Sequence, residues 1–286
     1  MTTSFSTAAI VGVGLLGGSL GLALKKRNMA GKIRGVGRRQ SNLDKALEAG
    51  IIDEAHLDIR EGVKGVELVV LCTPASLAPA MLDEVMQACG PDTLITDVAS
   101  TKELICNHAA RLWPENRPFV GSHPMAGSEK HGPEHADANL YEGRITVIED
   151  SPGPAAHAVT AIRALWEGVG ARVVAMAPKR HDQLVAYSSH VPHLAAACVA
   201  LCAADAGDEI RDVVGQGFRD VTRVAEGRPE IWRDICLTNH RSIIKGLDDL
   251  TQHLGIIRAA VAAMAPETIE RFLESAQVAR RKAIDE

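Results

Sequence analysis

From about residue 8 to residue 176, short apolar runs alternate with stretches of helical character: AAIVGVG, IRGVG, ELVVLCTP, TLITDVAS, FVGSHP, RITVIED and ARVVAM. A strand buried on both faces reads as a continuous Val/Ile/Leu run, and such runs separated by helices connect as βαβ units. The alternation therefore confines this part of the chain to an α/β doubly wound, mainly parallel sheet. It stops at Pro178. Segments 181–205, 208–225, 229–263 and 266–284 instead carry apolar residues at helical spacing, as Ile269, Phe272, Leu273 and Ala276 do, with few strand signals. Pro152, Gly153 and Pro154 form the most loop-like stretch, but the run ARVVAM follows them. The expected division is thus residues 1–177 for the sheet domain and 178–286 for an all-α domain.

The first apolar run leads into Gly12-Val13-Gly14-Leu15-Leu16-Gly17, which opens the helical run Leu15–Lys26. A lone G-x-G-x-x-G is weak, but between a strand and a helix it has a mechanism. Gly12 permits the tight turn, Gly14 lets backbone approach a pyrophosphate and Gly17 allows close helix–strand packing. The N–H groups at the helix start, those of Leu15 and Leu16 included, face the anion. The sheet domain is therefore expected to be a Rossmann-type dinucleotide site.

An NAD site would carry an acid about 20 residues further on, for the ribose 2′-OH. Here the second run ends Gly37-Arg38-Arg39-Gln40-Ser41. Arg38 and Arg39, with Ser41 as a further donor, suit a 2′-phosphate, so NADP is the favoured cofactor. The competing reading makes both arginines solvated charges and leaves the site open to NAD as well.

Open α/β sheets bind ligands outside the carboxyl ends of their strands. Those ends read Cys72-Thr73-Pro74, Asp97-Val98-Ala99-Ser100-Thr101-Lys102 and Gly121-Ser122-His123-Pro124-Met125-Ala126-Gly127-Ser128. On this ground Thr73 and Pro74 join the cofactor site. His123, with an ordinary pKa of about 6.5, is placed to take a proton from an alcohol undergoing oxidation. On its own, such a histidine is more often a loop residue bonding backbone.

The helical half adds Ser189-His190-Val191-Pro192-His193, Gly215-Gln216-Gly217-Phe218-Arg219-Asp220-Val221-Thr222-Arg223 and Pro229-Glu230-Ile231-Trp232-Arg233-Asp234. With GSHPMAGSE and the glycine turn, this ordered set resembles the prephenate/arogenate dehydrogenase family of tyrosine biosynthesis, from about residue 8 to about residue 255. The resemblance implies NAD(P)-dependent oxidative decarboxylation of prephenate to 4-hydroxyphenylpyruvate. It implies His123 as the acceptor of the C4 hydroxyl proton and Ser100 as the residue orienting hydroxyl and histidine. Arg223 would hold the ring carboxylate, and His193 with Ser128 would face the side-chain carboxylate. Trp232 is either plain core or the lining of a neighbouring subunit's site. His190 is expected to be structural. Arogenate dehydrogenase and a dual-specificity cyclohexadienyl dehydrogenase are the alternatives. His193 favours the keto acid, because it can donate to a carboxylate; the amine of arogenate would be repelled by a protonated His193 and tolerated by a neutral one.

The remaining features bound this reading. The composition, 46% hydrophobic and 23% charged, is that of a folded globular chain, and a net charge of -5 argues against nucleic acid as partner. No metal is expected: His190 and His193 lack a carboxylate or cysteine at matching spacing. No stretch of about 18 uninterrupted apolar residues suggests a membrane span, and MTTSFSTAAIVGVG lacks the layout of a signal peptide, so the cytoplasm is the expected location. The six cysteines show no CxxC pair, and Cys198 and Cys202 read as buried small hydrophobes. The partners expected are a small-molecule substrate and a second copy, a homodimer formed through the helical domain. The rival classes are a β-hydroxyacid dehydrogenase, which would need a helical lysine in a motif absent here, and a non-catalytic cofactor sensor.

Overall fold

The structure, a computed structural model, describes residues 4–127 and 130–284. Its first part follows the order β1 (Phe5–Val11), α1 (Leu15–Lys26), β2 (Ala30–Val36), α2 (Gln40–Glu48), β3 (Glu54–His56), α3 (Ile59–Val63), β4 (Leu68–Leu71), α4 (Ala78–Ala88), β5 (Leu94–Asp97), α5 (Glu103–Leu112) and β6 (Phe119–Val120). These strands form a six-stranded sheet in the order β3-β2-β1-β4-β5-β6. Every pairing in it is parallel. This is the Rossmann order, with its switch point between β1 and β4.

Alternate residues of each central strand serve opposite faces. Ala8, Ile10, Leu68 and Val70 belong to one core with Leu20 and Leu24 of α1 and Leu43 of α2. Ala9, Val11, Val69 and Leu71 belong to the other with Val63 of α3, Leu82 of α4 and Ile105 of α5. The runs are continuously apolar because helices cover both sides.

FVGSHP does not form one strand. β6 ends at Val120, and β7 (Ser122–Pro124) joins a second, three-stranded sheet with β8 (Ile145–Glu149) and β9 (Arg172–Met176), in the order β7-β8-β9. β7 pairs antiparallel with β8, and β8 parallel with β9. Gly121 makes the crossing: a Cβ there would lie 2.5 Å from Cys106 Sγ, so only glycine passes. RITVIED and ARVVAM therefore extend this smaller sheet rather than the large one, with α6 (Ala156–Gly168) between them. The three-residue β3 carries no apolar run and has no signature in the sequence.

Beyond it come α7 (Pro178–Val185), a π-helical turn (Ala186–His190), α8 (Val191–Asp205), α9 (Gln216–Thr222), α10 (Pro229–Thr238), α11 (His240–Ala262) and α12 (Pro266–Ile284). The segment 229–263 is not one helix. Asn239 ends α10, its buried side chain donating to the Asp182 carbonyl at 2.7 Å. The chain divides between His240 and Arg241 into two compact units. The change to helices falls at Pro178, but compactness continues because α7 is tied to the start of α5: Lys102 N and Glu103 N donate to the Asp182 carboxylate at 2.7 and 2.9 Å.

The helical run Pro178–Asp205 is, by length and composition alone, long and apolar enough to cross a membrane, which a count of uninterrupted apolar residues misses. On α8 only Val191, His193 and Ala196 are buried. Cys198 and Cys202 are exposed, contrary to the expectation that they are core, because they lie on the part of α8 that this chain leaves uncovered.

Candidate active site

The switch point is built by the three glycines. Gly12 has φ +100°, a left-handed value, and a Cβ on it would lie 2.3 Å from the Cys72 carbonyl oxygen. A Cβ on Gly17 would lie 2.2 Å from the Gly12 oxygen and 2.8 Å from Ile10 Cγ2, so its absence lets α1 rest on β1. Gly14 differs from both: nothing stands within 4 Å of its would-be Cβ, which leaves room for a ligand. Gly14 is also the N-cap of α1, with no side-chain cap, so the first-turn N–H groups of Leu15 and Leu16 lack a capping side chain. Thr73, after β4, lies across the turn, its Cγ2 3.1 Å from the Gly12 Cβ position. Its Oγ1 is buried with no hydrogen-bond partner among the described residues, and the neighbouring Pro74 is exposed. An open glycine approach, uncapped helix N–H groups and an orphaned hydroxyl together fit a dinucleotide.

At the end of β2, Arg38, Arg39 and Ser41 are all exposed. Neither arginine has an ion-pair partner among the described residues. Arg39 is the N-cap of α2, which again has no side-chain cap. The nearby acids are otherwise engaged: Asp53 pairs with Lys25 at 2.6 Å, and Glu54 pairs with Lys32 at 2.6 Å and Arg34 at 2.9 Å.

His123 sits on β7, opposite Val147 of β8. Its Nδ1 lies 2.8 Å from His181 Nε2, and His181 Nδ1 lies 2.8 Å from Asp182 Oδ1. Burial holds the His123 pKa well below 6.5, and His181, Lys102 and His190 add to the effect. The imidazole is therefore neutral near pH 7, the state a proton acceptor needs. Beneath it, Asp97 accepts from Lys102 Nζ, from Ser122 N at 2.9 Å and from Ala99 N at 3.0 Å. Burial pushes the Asp97 carboxyl up, with Lys102 opposing. This buried pair fixes the Asp97–Lys102 loop and the first residue of β7 together. Ser100, half-buried in that loop, has no hydrogen bond to His123 among the described residues.

A second cluster forms around His193 of α8. Its ring stacks on Trp232 of α10, with centroids 3.4 Å apart and planes at 9°. Gly227 admits the stack, since a Cβ there would meet Trp232 Nε1 at 2.3 Å. Burial holds the His193 pKa below 6.5, against a hydrogen bond to the Val224 backbone. Its Nδ1 is buried without a partner among the described residues, so Nε2 is the nitrogen turned to Val224. Arg223, next in the chain to Val224, is exposed and free of ion pairs among the described residues. His190 stands between the clusters. It neighbours Asp182, His181 and His193, and Asn239 Nδ2 donates to its Nδ1 at 3.2 Å, which is a structural role. Burial brings its pKa down to about 4.

The structure thus joins His193, Trp232 and the Arg223 turn in one cluster and places His123 in another, with His190 bridging. Among the described residues, no hydrogen bond or ion pair joins His123 to Arg223 or Ser100. Ser128 lies outside the described residues. Sequence reasoning missed Asp97, Lys102, His181 and Asp182. The only signals were an acid and a lysine at a strand end and the dipeptide His181-Asp182 at a helix start, each of which reads as a solvated charge without the fold.

Residues 20–175 match the family described as prephenate dehydrogenase, nucleotide-binding domain, and residues 177–275 match prephenate dehydrogenase, dimerization domain. The chain is 32% identical over 275 residues to prephenate dehydrogenase of Bacillus subtilis (strain 168), covering 95% of this chain and 74% of that protein. The crystal structure of prephenate dehydrogenase from A. aeolicus in complex with hydroxyphenyl propionate and NAD+ superposes with a TM-score of 0.91 at 28% identity, covering 99% of this chain and 100% of that one. Synechocystis arogenate dehydrogenase gives a TM-score of 0.83 at 30% identity, over 97% of this chain and 100% of that one.

Proposed function

This chain belongs to the prephenate dehydrogenase family, and from that premise we propose that it catalyses the oxidative decarboxylation of prephenate to 4-hydroxyphenylpyruvate, with NADP preferred over NAD. The observation that carries the reading is His123: a histidine kept neutral by burial, its Nδ1 committed to His181, on the strand that leaves the Rossmann sheet. His123 Nε2 takes the proton of the C4 hydroxyl, and Ser100 orients that hydroxyl. A bound dinucleotide supplies the acceptor for the C4 hydride. Loss of carbon dioxide from C1 makes the ring aromatic, so the protein has chiefly to align the substrate and remove one proton. Arg223 offers the ring carboxylate a bidentate fork, and His193, with Trp232 holding its ring, faces the side chain.

The NADP preference rests on Arg38, Arg39 and Ser41, exposed around the uncapped start of α2 with no acid in place to bind a ribose 2′-OH. The second copy expected for the helical domain would cover the exposed side of α8, in keeping with the family description of residues 177–275. The cytoplasm is the proposed location, and the free cysteines suit a reducing compartment.

One observation favours a second reading, use of arogenate as well. A neutral His193 with Nε2 turned to Val224 presents Nδ1 as an acceptor, and an acceptor suits an ammonium.

The test is kcat/KM for prephenate and arogenate, each with NADP and NAD, in the wild type and in His123→Asn. Prephenate with NADP is expected to be the most efficient pair. His123→Asn is expected to lower kcat by about 10²-fold or more while keeping cofactor affinity, as loss of a general base does. Normal turnover by the variant would remove His123 as the base, and equal efficiency with both cofactors would remove the NADP preference.

A further inference from the structure

We propose that His181 and Asp182 are positioning residues for the reaction: a buried carboxylate–histidine relay that fixes the tautomer of His123 and carries away the proton it takes. The proposal deepens the reading of His123 as the base and rests on it.

Asp182 is buried on α7, and both its oxygens accept backbone N–H groups from the start of α5: Oδ1 from Lys102 at 2.7 Å and Oδ2 from Glu103 at 2.9 Å. With two backbone N–H groups donating to it, the Asp182 carboxylate faces His181 as an acceptor. His181 Nδ1, 2.8 Å from Oδ1, must then carry a proton. A neutral His181 has its lone pair on Nε2, and that nitrogen lies 2.8 Å from His123 Nδ1. Two lone pairs do not face each other at hydrogen-bond distance, so His123 Nδ1 carries the proton and donates it. The lone pair of His123 is left on Nε2. Three hydrogen bonds, read outward from one anchored carboxylate, thus point the acceptor nitrogen away from the relay.

The same chain disposes of the proton. The substrate hydroxyl proton goes to His123 Nε2, and the Nδ1 proton passes to His181 Nε2. His181, now cationic, keeps its Nδ1 proton on the Asp182 carboxylate, and after product release the shifts reverse and the proton leaves through Nε2. This matters because everything else around His123 opposes a positive charge there. Burial does, and so do Lys102 ahead of α5 and His190 of the π-helical turn, even with Asp97 accepting from Lys102 Nζ. Moving the charge one ring inward places it beside the anion. His181 faces Asp182 and His190, and Asn239 holds the Asp182 carbonyl at 2.7 Å, so the relay is tied to three separate elements.

The test begins on the intact wild-type enzyme, with 15N-labelled histidine and the His123 signal assigned by its loss in His123→Asn. The expected spectrum of the resting enzyme has His123 and His181 both protonated at Nδ1 and bare at Nε2. A His123 protonated at Nε2 overturns the proposal, with no variant required. Asp182→Asn offers His181 Nδ1 a donor, so both tautomers should invert, with kcat falling about 10²-fold or more and KM changing by less than about twofold. His181→Gln can still accept from His123 Nδ1 but cannot take its proton, so the tautomer should hold while kcat falls about tenfold. If folded Asp182→Asn keeps wild-type kcat and the Nδ1 tautomer while His123→Asn is inactive, the relay is overturned and the base reading stands. If His123→Asn turns over normally, the base reading falls, and the relay falls with it.

Discussion

The β1–β6 sheet and helix α8 are both built from apolar residues, yet one is closed by its own chain and the other is not. In the sheet, neighbouring residues of one strand, Ala8 and Ala9 or Leu68 and Val69, enter separate cores and are fully buried. On α8 the run of alanines, valine, leucines and cysteines is as apolar, but Leu201 is 66% exposed and Val199 41%. Composition is alike and closure differs. Period-2 alternation with helices on both faces lets a parallel sheet complete itself within one chain. A helix apolar all round cannot do so unless something covers its outer side. The α/β part also holds fully enclosed ion pairs, Arg117 with Glu149 and Lys102 with Asp97.

The largest effect is expected where the closed region is opened from within. Arg117 Nη2 donates to Glu149 Oε1 at 2.5 Å, and its Nη1 donates to the Cys106 carbonyl at 2.9 Å. Among the described residues, Arg117→Ala would leave the buried Glu149 carboxylate with Gly121 N and the Ser151 hydroxyl as its partners. The expected cost is about 3–5 kcal/mol in urea-unfolding free energy, since removing one partner of a buried pair strands the other charge. A loss below about 1 kcal/mol would show that water reaches Glu149 and that this region is less closed than its burial implies.

Next in size is the open region. Leu201→Asp places a charge on the uncovered side of α8, at a side chain mostly exposed in the monomer. The monomer should therefore fold normally. Dimer dissociation, followed by sedimentation equilibrium, should strengthen by about 10- to 100-fold, or about 1.4–2.7 kcal/mol. An unchanged dissociation constant would place the subunit interface elsewhere and leave the exposure of α8 without a partner.

Legibility in the sequence followed the same contrast. The sheet could be read because its periodicity and its glycines report on contacts made close by: Gly12 takes its left-handed φ of +100° at the turn, and Gly17 leaves room for α1 to rest on β1. The break at Gly121 could not be read, because it depends on Cys106 and Glu149, which are distant in sequence. Helical spacing marks α8 and α10 but does not say which face is covered, and Cys198 and Cys202, expected in the core, are exposed. His123 stood out by its motif. The relay behind it did not, since His181 and Asp182 acquire meaning only when α7 docks against the start of α5.

The smallest expected effect lies where the helical region offers a side chain to the substrate. His193 has its pKa held below 6.5 by burial, so in the free enzyme it is neutral at pH 7 and its unpartnered Nδ1 is an acceptor. Donation through Nδ1 to a carboxylate requires a second ring proton, so an anion binding there must raise the His193 pKa. Linkage then fixes the sign: the anion binds most tightly below the free-enzyme pKa, and the advantage is lost as pH rises through the raised value of the complex. An ammonium instead binds the neutral ring and needs no proton. The two products separate these cases without involving the chemical step. From pH 6 to 8 the Kd of 4-hydroxyphenylpyruvate should rise by up to about tenfold, while that of tyrosine changes by less than about twofold. His193→Asn, whose amide donates at every pH, should flatten the first curve. Parallel curves for the two products in the wild type would mean that Nδ1 does not face the substrate side chain, and the stack on Trp232 would then belong to the fold alone.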